Sequence, residues 1–260
     1  MSGQLLINVF NKDHISGERE YHAGGDAANC LDGNTYTAWK PNSVNRWAEI
    51  TFDLLGPVSL NFIALTGIKI DSDMDRIYLT GSDDAEFTSP VRIAEILLSD
   101  LIAGLYVNIS SNITEYRYYR ITLTNYTENQ NQAEFSGILM GNALSLPHGI
   151  AAPYTPPKLS TKSEVTNNKT MGGHFVGRSV LTGQYDFIIK NKNLTPEWIN
   201  ANWQGIHDQI LTKPFMYLWD DSKPEDAVFC WTKSDIPAPK YDNQCYFSFS
   251  IPCNGFIENA

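Results

Sequence analysis

Apolar and polar residues alternate in short segments through the first 145 residues. In WAEITFDL (47–54), Ala48, Ile50, Phe52 and Leu54 occupy every second position. This two-residue period is typical of a strand with one buried face. Other β-like segments lie at 4–10, 58–68, 75–84, 106–110 and 116–126. Many short strands separated by turn residues predict an all-β sandwich.

The later part of the chain has a different order of elements. Two strand-like segments, 163–180 and 184–191, precede a segment whose apolar residues repeat with a helical period up to Pro214. This helix is predicted to begin with Thr195 as N-cap and Pro196 in its first turn. Three strand-like segments follow, at 214–220, 227–233 and 245–252. The β-β-α-β-β-β order predicts an α+β module.

Proline and glycine interrupt the pattern between these two regions, in LPHGIAAPYTPP (146–157). Proline cannot continue a helix or a central strand, so this stretch is predicted to be a linker. The predicted organisation is a β-sandwich at 1–145, a proline-rich linker at 146–160 and an α+β module at 161–260. The fold class is therefore mainly β, with one amphipathic helix.

Charge narrows the range of partners. The chain has 260 residues and a formal net charge of −10. Residues 1–150 contain 9 Lys and Arg against 18 Asp and Glu, so most of the negative charge is in the first part. Nucleic-acid binding depends on cationic contacts with phosphates, and it is therefore not expected. No apolar run is long enough for a membrane helix, and the N-terminus lacks secretory-signal features, so folding in a cytosol is expected.

Catalytic signatures do not stand out in the sequence. We find no HExxH, GxSxG or phosphate-binding loop motif. A glycosidase would need two carboxylates across a cleft, and no pair of residues is indicated for that role. The sequence therefore predicts a protein that is not an enzyme.

A polar turn, AANCLDGNTYTAW (27–39), is the first of five segments that carry a resemblance. The others are WAEITFDLLG (47–56), IYLTGSDD (77–84), YRYYRITLT (116–124) and FSGILMG (135–141). In this order they closely resemble the discoidin, or coagulation factor 5/8 C-terminal type, domain and the related galactose-binding-like carbohydrate-binding modules. The resemblance covers most of residues 20–142 and implies a jelly-roll β-sandwich.

The resemblance also implies candidate sites on the first domain. The family's turn often holds a structural calcium ion, and the matching residues here are Asp32, Asn34 and Thr37. The family's acidic ligand on the last strand is replaced by Ser136, and Glu134 lies two residues earlier. The alternative to a calcium ion is that hydrogen bonds alone hold this turn.

Other positions of the family face sugars, whereas the family's tryptophans, here Trp39 and Trp47, generally pack in the sandwich. The sugar-facing candidates are His22, Tyr36, Lys40, Asn42 and Arg46.

Residues 160–260 resemble, in architecture, modules of tailed-bacteriophage tail tubes and distal tail proteins. This resemblance implies a structural tail or tail-tip protein of a virion, assembled in the host cytoplasm. Its partners would be other tail proteins, further copies of itself in a ring, and host surface glycan. The alternative is a stand-alone, lectin-like carbohydrate-binding protein.

Overall fold

The computed structural model describes residues 3–19, 26–40, 47–69, 76–97, 106–124, 134–148, 152–242 and 245–256. The chain forms two compact units. One contains residues 6–144, and the other contains residues 1–5 together with 145–260. The predicted fold class, a mainly β protein with one helix in its later module, is confirmed within the described part of the chain.

The unit of residues 6–144, here the first unit, is built from antiparallel strands. Its sheet has the order β2-β3-β6-β4-β5, and β7 also pairs with β3. The strands are β2 (Ile15–Arg19), β3 (Trp47–Thr66), β4 (Arg76–Ser82), β5 (Val91–Leu97), β6 (Tyr106–Thr124) and β7 (Gly137–Gly141).

The pairing of β3 changes partway along the strand. Residues 47–53 pair with β6, residues 49–52 also pair with β2, and residues 62–65 pair with both β6 and β7. The register with β6 shifts between Asp53 and Val58. In that bulge Leu55 has a φ of 62° and Pro57 has no N–H to donate.

One face of these strands forms the hydrophobic core of the first unit. The alternating residues Ala48, Ile50 and Phe52 are buried, as their two-residue period predicts. Fully buried aromatic side chains accompany them, including Phe10, Trp39, Tyr119 and Phe135. The sequence indicated two strands at 47–54 and 58–68, whereas the structure has one long strand, because a bulge accommodates the Leu-Gly-Pro stretch without ending the pairing.

The other unit, here the second unit, has a sheet of eight strands, which also includes Leu6 and residues 143–144 at the ends of β1 and β8. Their order is β8-β1-β11-β12-β14-β10-β9, with β13 paired to β14. The bounds are β1 (Gln4–Leu6), β8 (Ala143–Ser145), β9 (Thr161–Lys169), β10 (Phe175–Leu194), β11 (Phe215–Leu218), β12 (Val228–Thr232), β13 (Lys240–Tyr241) and β14 (Phe247–Gly255).

One helix, α1 (Pro196–Thr212), belongs to this unit. The Thr195 hydroxyl accepts a hydrogen bond from the Trp198 N–H at 3.2 Å, which caps the first turn as predicted. Ile199, Ile206 and Ile210 form the buried face of the helix. Among the described residues, no helix has the length and apolar character needed to cross a membrane.

The second unit includes a strand from the start of the sequence. β1 lies between β8 and β11 in the sheet, and the Leu146 N–H donates to the Gly3 carbonyl at 2.8 Å. The sequence pattern placed residues 1–145 together, whereas the structure groups residues 1–5 with 145–260. Pairing between strands so far apart leaves no mark in the local pattern.

A two-stranded arm is the most exposed part of the second unit. β9 pairs with the first half of β10, residues Phe175–Tyr185, while the second half of β10 pairs with β14. We call residues 161–184 the β9–β10 arm. Every residue of β9 is exposed. The glycine-rich stretch at 172–173 forms its turn, with Gly173 at a φ of 83°.

Candidate functional site

The polar turn of the first unit follows a short 3-10 helix, Ala27–Leu31. The Asp26 carboxylate accepts a hydrogen bond from the Ala28 N–H at 2.9 Å and caps the start of this helix. The Asn29 amide donates to the Ala38 carbonyl at 3.2 Å, so the two ends of the turn are tied together. The backbone between these residues therefore has little freedom.

Three side chains close the turn from within. Asp32 Oδ1 accepts a hydrogen bond from the Asn34 N–H at 2.7 Å, and Asn34 Oδ1 accepts one from the Tyr36 N–H at 3.0 Å. The Thr37 hydroxyl lies 2.7 Å from Asp32 Oδ2, to which it donates, and 3.1 Å from the Asn34 carbonyl. Gly33 has a φ of 76°, a conformation that favours glycine.

Trp39 attaches the turn to the core. Its N–H donates to the Phe135 carbonyl at 2.9 Å, and the Phe135 N–H donates back at 3.1 Å. The two rings are 5.6 Å apart, and the Trp39 side chain is fully buried. The prediction that Trp39 packs in the sandwich is confirmed, and this ring cannot stack on a sugar. The side chain of Trp47 lies outside the described residues.

Glu134 connects two lysines at the end of the turn. Its carboxylate lies 2.6 Å from Lys40 Nζ and 3.3 Å from Lys69 Nζ. The backbones of Lys69 and Glu134 also exchange two hydrogen bonds, at 3.0 and 2.8 Å. The hydrogen bond from Lys40, with the second one from Lys69, lowers the pKa of Glu134 below its ordinary value. We call Lys40, Lys69 and Glu134 the lysine–glutamate cluster.

These contacts bear on the predicted calcium ligands. Calcium takes six to eight oxygen ligands, carboxylates among them. In the described arrangement Glu134 is bound to two ammonium groups, and both oxygens of Asp32 accept hydrogen bonds within the turn. This set does not fit a calcium ion as it stands. No group of three His, Cys, Asp or Glu side chains suited to a metal occurs among the described residues. Calcium binding stays a prediction, and in the described structure hydrogen bonds hold the turn.

The predicted sugar-facing residues divide into two groups. His22, Asn42 and Arg46 lie outside the described residues. Tyr36 lies in the polar turn, with 98% of its surface exposed. Lys40 follows three residues after Thr37 and is half-buried against Glu134. The structure therefore joins one predicted sugar contact, Lys40, with one predicted calcium ligand, Glu134. Lys69 was not predicted, because only the backbone pairing with Glu134 brings it to the cluster.

The remaining motif residues of the first unit hold strands together. Arg117 forms two 2.8 Å hydrogen bonds to Asp53, which lower the pKa of that carboxyl group. The Arg120 guanidinium lies 3.9 Å from the centre of the Phe87 ring and donates to the Thr51 hydroxyl at 3.1 Å. These arginines are engaged within the sandwich.

Comparisons with known proteins find similar solved structures. No protein-family model matches the sequence, and no curated protein is significantly similar to it. One similar solved structure is CpGH89CBM32-6, a family 32 carbohydrate-binding module produced by Clostridium perfringens. It is 22% identical, with 51% of this chain and 97% of that chain covered and a TM-score of 0.41.

Two further solved structures have comparable similarity. The family 32 carbohydrate-binding module of C. perfringens NanJ, solved in complex with galactose, is 11% identical, with 54% and 99% of the two chains covered and a TM-score of 0.41. Chitosan-binding module 1 of a chitosanase/glucanase from Paenibacillus sp. IK-5 is 15% identical, with 50% and 96% covered and a TM-score of 0.40. The resemblance of residues 160–260 to tail proteins stays a prediction. The three solved structures named above are carbohydrate-binding modules.

Proposed function

We propose that the first unit is a non-catalytic carbohydrate-binding module, whose binding surface is centred on Tyr36 and the lysine–glutamate cluster. The observation that carries this proposal is the exposure of Tyr36. A tyrosine with 98% of its surface in water contributes nothing to the core, yet the turn that presents it is closed by several hydrogen bonds. Rigid presentation of an aromatic ring reduces the entropy lost on binding.

The chemistry of this surface suits a neutral sugar. A tyrosine ring offers an apolar face for the C–H groups of a pyranose, and its hydroxyl can donate and accept hydrogen bonds. Lys69 keeps 79% of its side chain exposed, so its ammonium group can donate to sugar hydroxyls while Glu134 offers acceptor oxygens. Because the glutamate offsets part of the lysine charge, the cluster does not require an anionic ligand.

A glycan array followed by titration calorimetry tests this proposal on the full chain. We expect binding to galactose-containing glycans with a Kd in the micromolar to millimolar range, and about tenfold weaker binding by Tyr36→Ala. The matched control is Leu55→Ala, which removes an apolar side chain with 80% exposure from the same unit. Equal affinity of Tyr36→Ala and the unmodified protein, or no glycan bound at all, would contradict the proposal.

A second proposal concerns the second unit. We propose that it assembles copies of the chain into a ring, in a structural protein of a bacteriophage tail or tail tip. The β9–β10 arm supports this. It exposes five large apolar side chains, Val165, Met171, Phe175, Val176 and Val180. A two-stranded ribbon is marginally stable alone in water, and an edge strand such as β9 is a template for further pairing.

Light scattering after size exclusion tests the assembly. We expect an oligomer for the unmodified chain and a shift toward monomer for the double variant Phe175→Ser/Val176→Ser. Leu211→Ser, an exposed change on the helix of the same unit, is the control and should leave the mass unchanged. A monomer at all concentrations for the unmodified chain would eliminate the ring. Coding regions for other tail proteins beside this one would support placement in a virion, with assembly in the host cytoplasm.

A further inference from the structure

An open pocket lies on the second unit, on the face of the sheet opposite the buried side of β10 and β14. Its volume is about 340 Å³, in the range of small-molecule sites. Strands β10, β13 and β14 form its floor, and two proline-containing segments form its walls. The lining residues are Ala152, Pro153, Lys190, Lys192, Pro237, Ala238, Lys240, Ser248, Phe249 and Ser250.

Strand register explains why three lysines meet there. Lys190 and Lys192 are two residues apart on β10, so they share one face. Lys190 pairs with Ser250 of β14, and Ser248 of β14 pairs with Lys240 of β13. All of these residues therefore lie on the same face of three neighbouring strands. Adjacent strands are about 4.8 Å apart, so the lysines of β10 and β13 stand roughly 10 Å apart on either side of the serines.

The charge of these lysines is not offset by ion pairs in the described part of the chain. Other lysines of the unit have acidic partners: Lys162 and Lys233 pair with Asp186, and Lys158 pairs with Asp226. For the three pocket lysines the described residues provide no carboxylate within 4 Å. Asp242 lies two residues after Lys240, and its carboxylate accepts a hydrogen bond from the Ser248 hydroxyl at 2.9 Å. The lining contains three lysines and no acidic residue, which favours a positive potential in the pocket although the whole chain has a net charge of −10.

The walls add a second requirement on the ligand. Pro153, Pro237 and Ala238 present apolar surface beside the ammonium groups. A bare inorganic ion would use the lysines and leave this surface in contact with water. A ligand with an anionic group and a carbon body of about the size of one sugar ring uses both.

We propose that this pocket binds the phosphate monoester of a small organic molecule, with Lys190, Lys192 and Lys240 holding the phosphate and the proline–alanine walls contacting the body. Lysine binds phosphate as a mobile point charge and needs no planar, bidentate geometry. The Ser250 hydroxyl, on the same face, supplies a neutral donor. This site is separate from the glycan surface proposed for the first unit, and neither proposal depends on the other.

Titration calorimetry with three probes tests the site: glucose 6-phosphate, inorganic phosphate and glucose. We expect glucose 6-phosphate to bind more tightly than inorganic phosphate, and glucose not to bind at this site. Binding should weaken as salt rises, because exposed charges are screened within about 10 Å at 0.1 M salt. Inorganic phosphate binding as tightly as the ester would overturn the role of the walls. Glucose binding as tightly as its phosphate would overturn the role of the lysines.

Substitutions identify the location. Lys190→Gln and Lys240→Gln should each weaken glucose 6-phosphate binding about fivefold, the effect of roughly one well-solvated charge contact. Asp242→Asn should strengthen it, because the substitution removes a negative charge that contacts Ser248. Lys213→Gln, an exposed lysine after the helix, is the matched control. Circular dichroism confirms that each variant is folded. Unchanged affinity in a folded Lys190→Gln/Lys240→Gln double variant, or no binding of the ester to the unmodified chain, would overturn the proposal.

Discussion

Short polar side chains do at the Asp32–Thr37 turn what a metal ion does in many loops. Asp32 accepts two hydrogen bonds, and Asn34 and Thr37 each contribute one side-chain bond to the same closed set. All of these contacts span five residues or fewer, so their residue types and spacing could be recognised in the sequence. The partner of Glu134 could not be recognised in the sequence, because Lys40 is 94 positions away from it. For that reason the sequence placed the two residues in different candidate sites.

Thr37→Val tests the hydrogen bond to Asp32 without changing the shape of the side chain. We expect the free energy of unfolding to fall by about 1 kcal/mol, the usual effect of one lost hydrogen bond. Urea denaturation followed by tryptophan fluorescence measures the change. Thr35→Val is the control, because its hydroxyl makes no hydrogen bond with the described residues. Equal losses in the two variants would show that the Asp32 contact adds nothing.

Glu134 predicts a dependence of stability on pH. Its pKa is lower in the folded protein than its ordinary value of 4.5, because Lys40 and Lys69 stabilise the ionised form. The stabilisation is therefore complete above pH 4.5, and it is lost as the pH falls through the lowered folded value. The difference in unfolding free energy between the unmodified protein and Glu134→Gln should be largest near neutral pH and shrink below 4.5. Denaturation curves from pH 7 to pH 3 measure it.

The matched control for this titration is Glu86→Gln, which changes an exposed carboxylate of the same unit. This variant removes a carboxylate that forms no ion pair with the described residues, so it takes away no contact of the kind that Glu134 makes. A Glu134→Gln difference that stays constant from pH 7 to pH 3 would rule out the ion pairs as its source.

At the scale of elements, the sequence pattern predicted whether a segment is a helix or a strand better than it predicted the first and last residues of that segment. The Thr195–Pro196 start and the Pro214 end of the helix are local signals, and the helix lies where they place it. By contrast, Gly56 and Pro57 indicated a break that β3 does not have. The neighbouring strands maintain the sheet through this bulge, and such pairing is decided by residues more than 50 positions away.

Gly81 of β4 predicts a packing constraint between strands. A Cβ at this position would lie 2.3 Å from Tyr116 Cδ2 and 2.9 Å from Ile93 Cδ1. Gly81→Ala should therefore lower the unfolding free energy by about 1–3 kcal/mol, the usual cost of overpacking. Gly177→Ala is the control, because a Cβ there meets nothing within 4 Å. Combination with Tyr116→Ala should give less than the sum of the single effects. Thermal unfolding measures the effect, and equal melting temperatures for Gly81→Ala and Gly177→Ala would contradict the constraint.

At the scale of the whole molecule, the two units differ in how they use the chain. The first unit is continuous and contains its own core, including Trp39, Phe52 and Tyr119. The second unit needs residues that precede the first unit in the sequence as well as residues that follow it. Leu5 and Leu6 of β1 are fully buried, and β1 lies between β8 and β11 in the sheet. Composition and local periodicity located the change near residue 145. They could not show that three residues of β1 belong with a sheet formed mostly after that point.

Fragments test this division. Residues 6–144 should unfold cooperatively as an isolated fragment, because the core of the first unit is complete within them. Residues 146–260 should be much less stable alone, since losing the burial of Leu5 and Leu6 costs about 1.5–3 kcal/mol for each side chain. A chain in which a short Gly-Ser linker replaces residues 7–142 should recover the stability. Near-UV circular dichroism and thermal melts report the outcome, and a stable 146–260 fragment would contradict the role of β1.

The position of β1 also sets an order of events during synthesis. β1 leaves the ribosome before the first unit, but its neighbour β11 begins only at Phe215. At about 5–20 residues per second, the strand waits roughly 10–40 s for that neighbour. The first unit has time to fold in this interval, while two leucines remain without their final cover. The early strand is therefore the segment on which a chaperone has the longest opportunity to act.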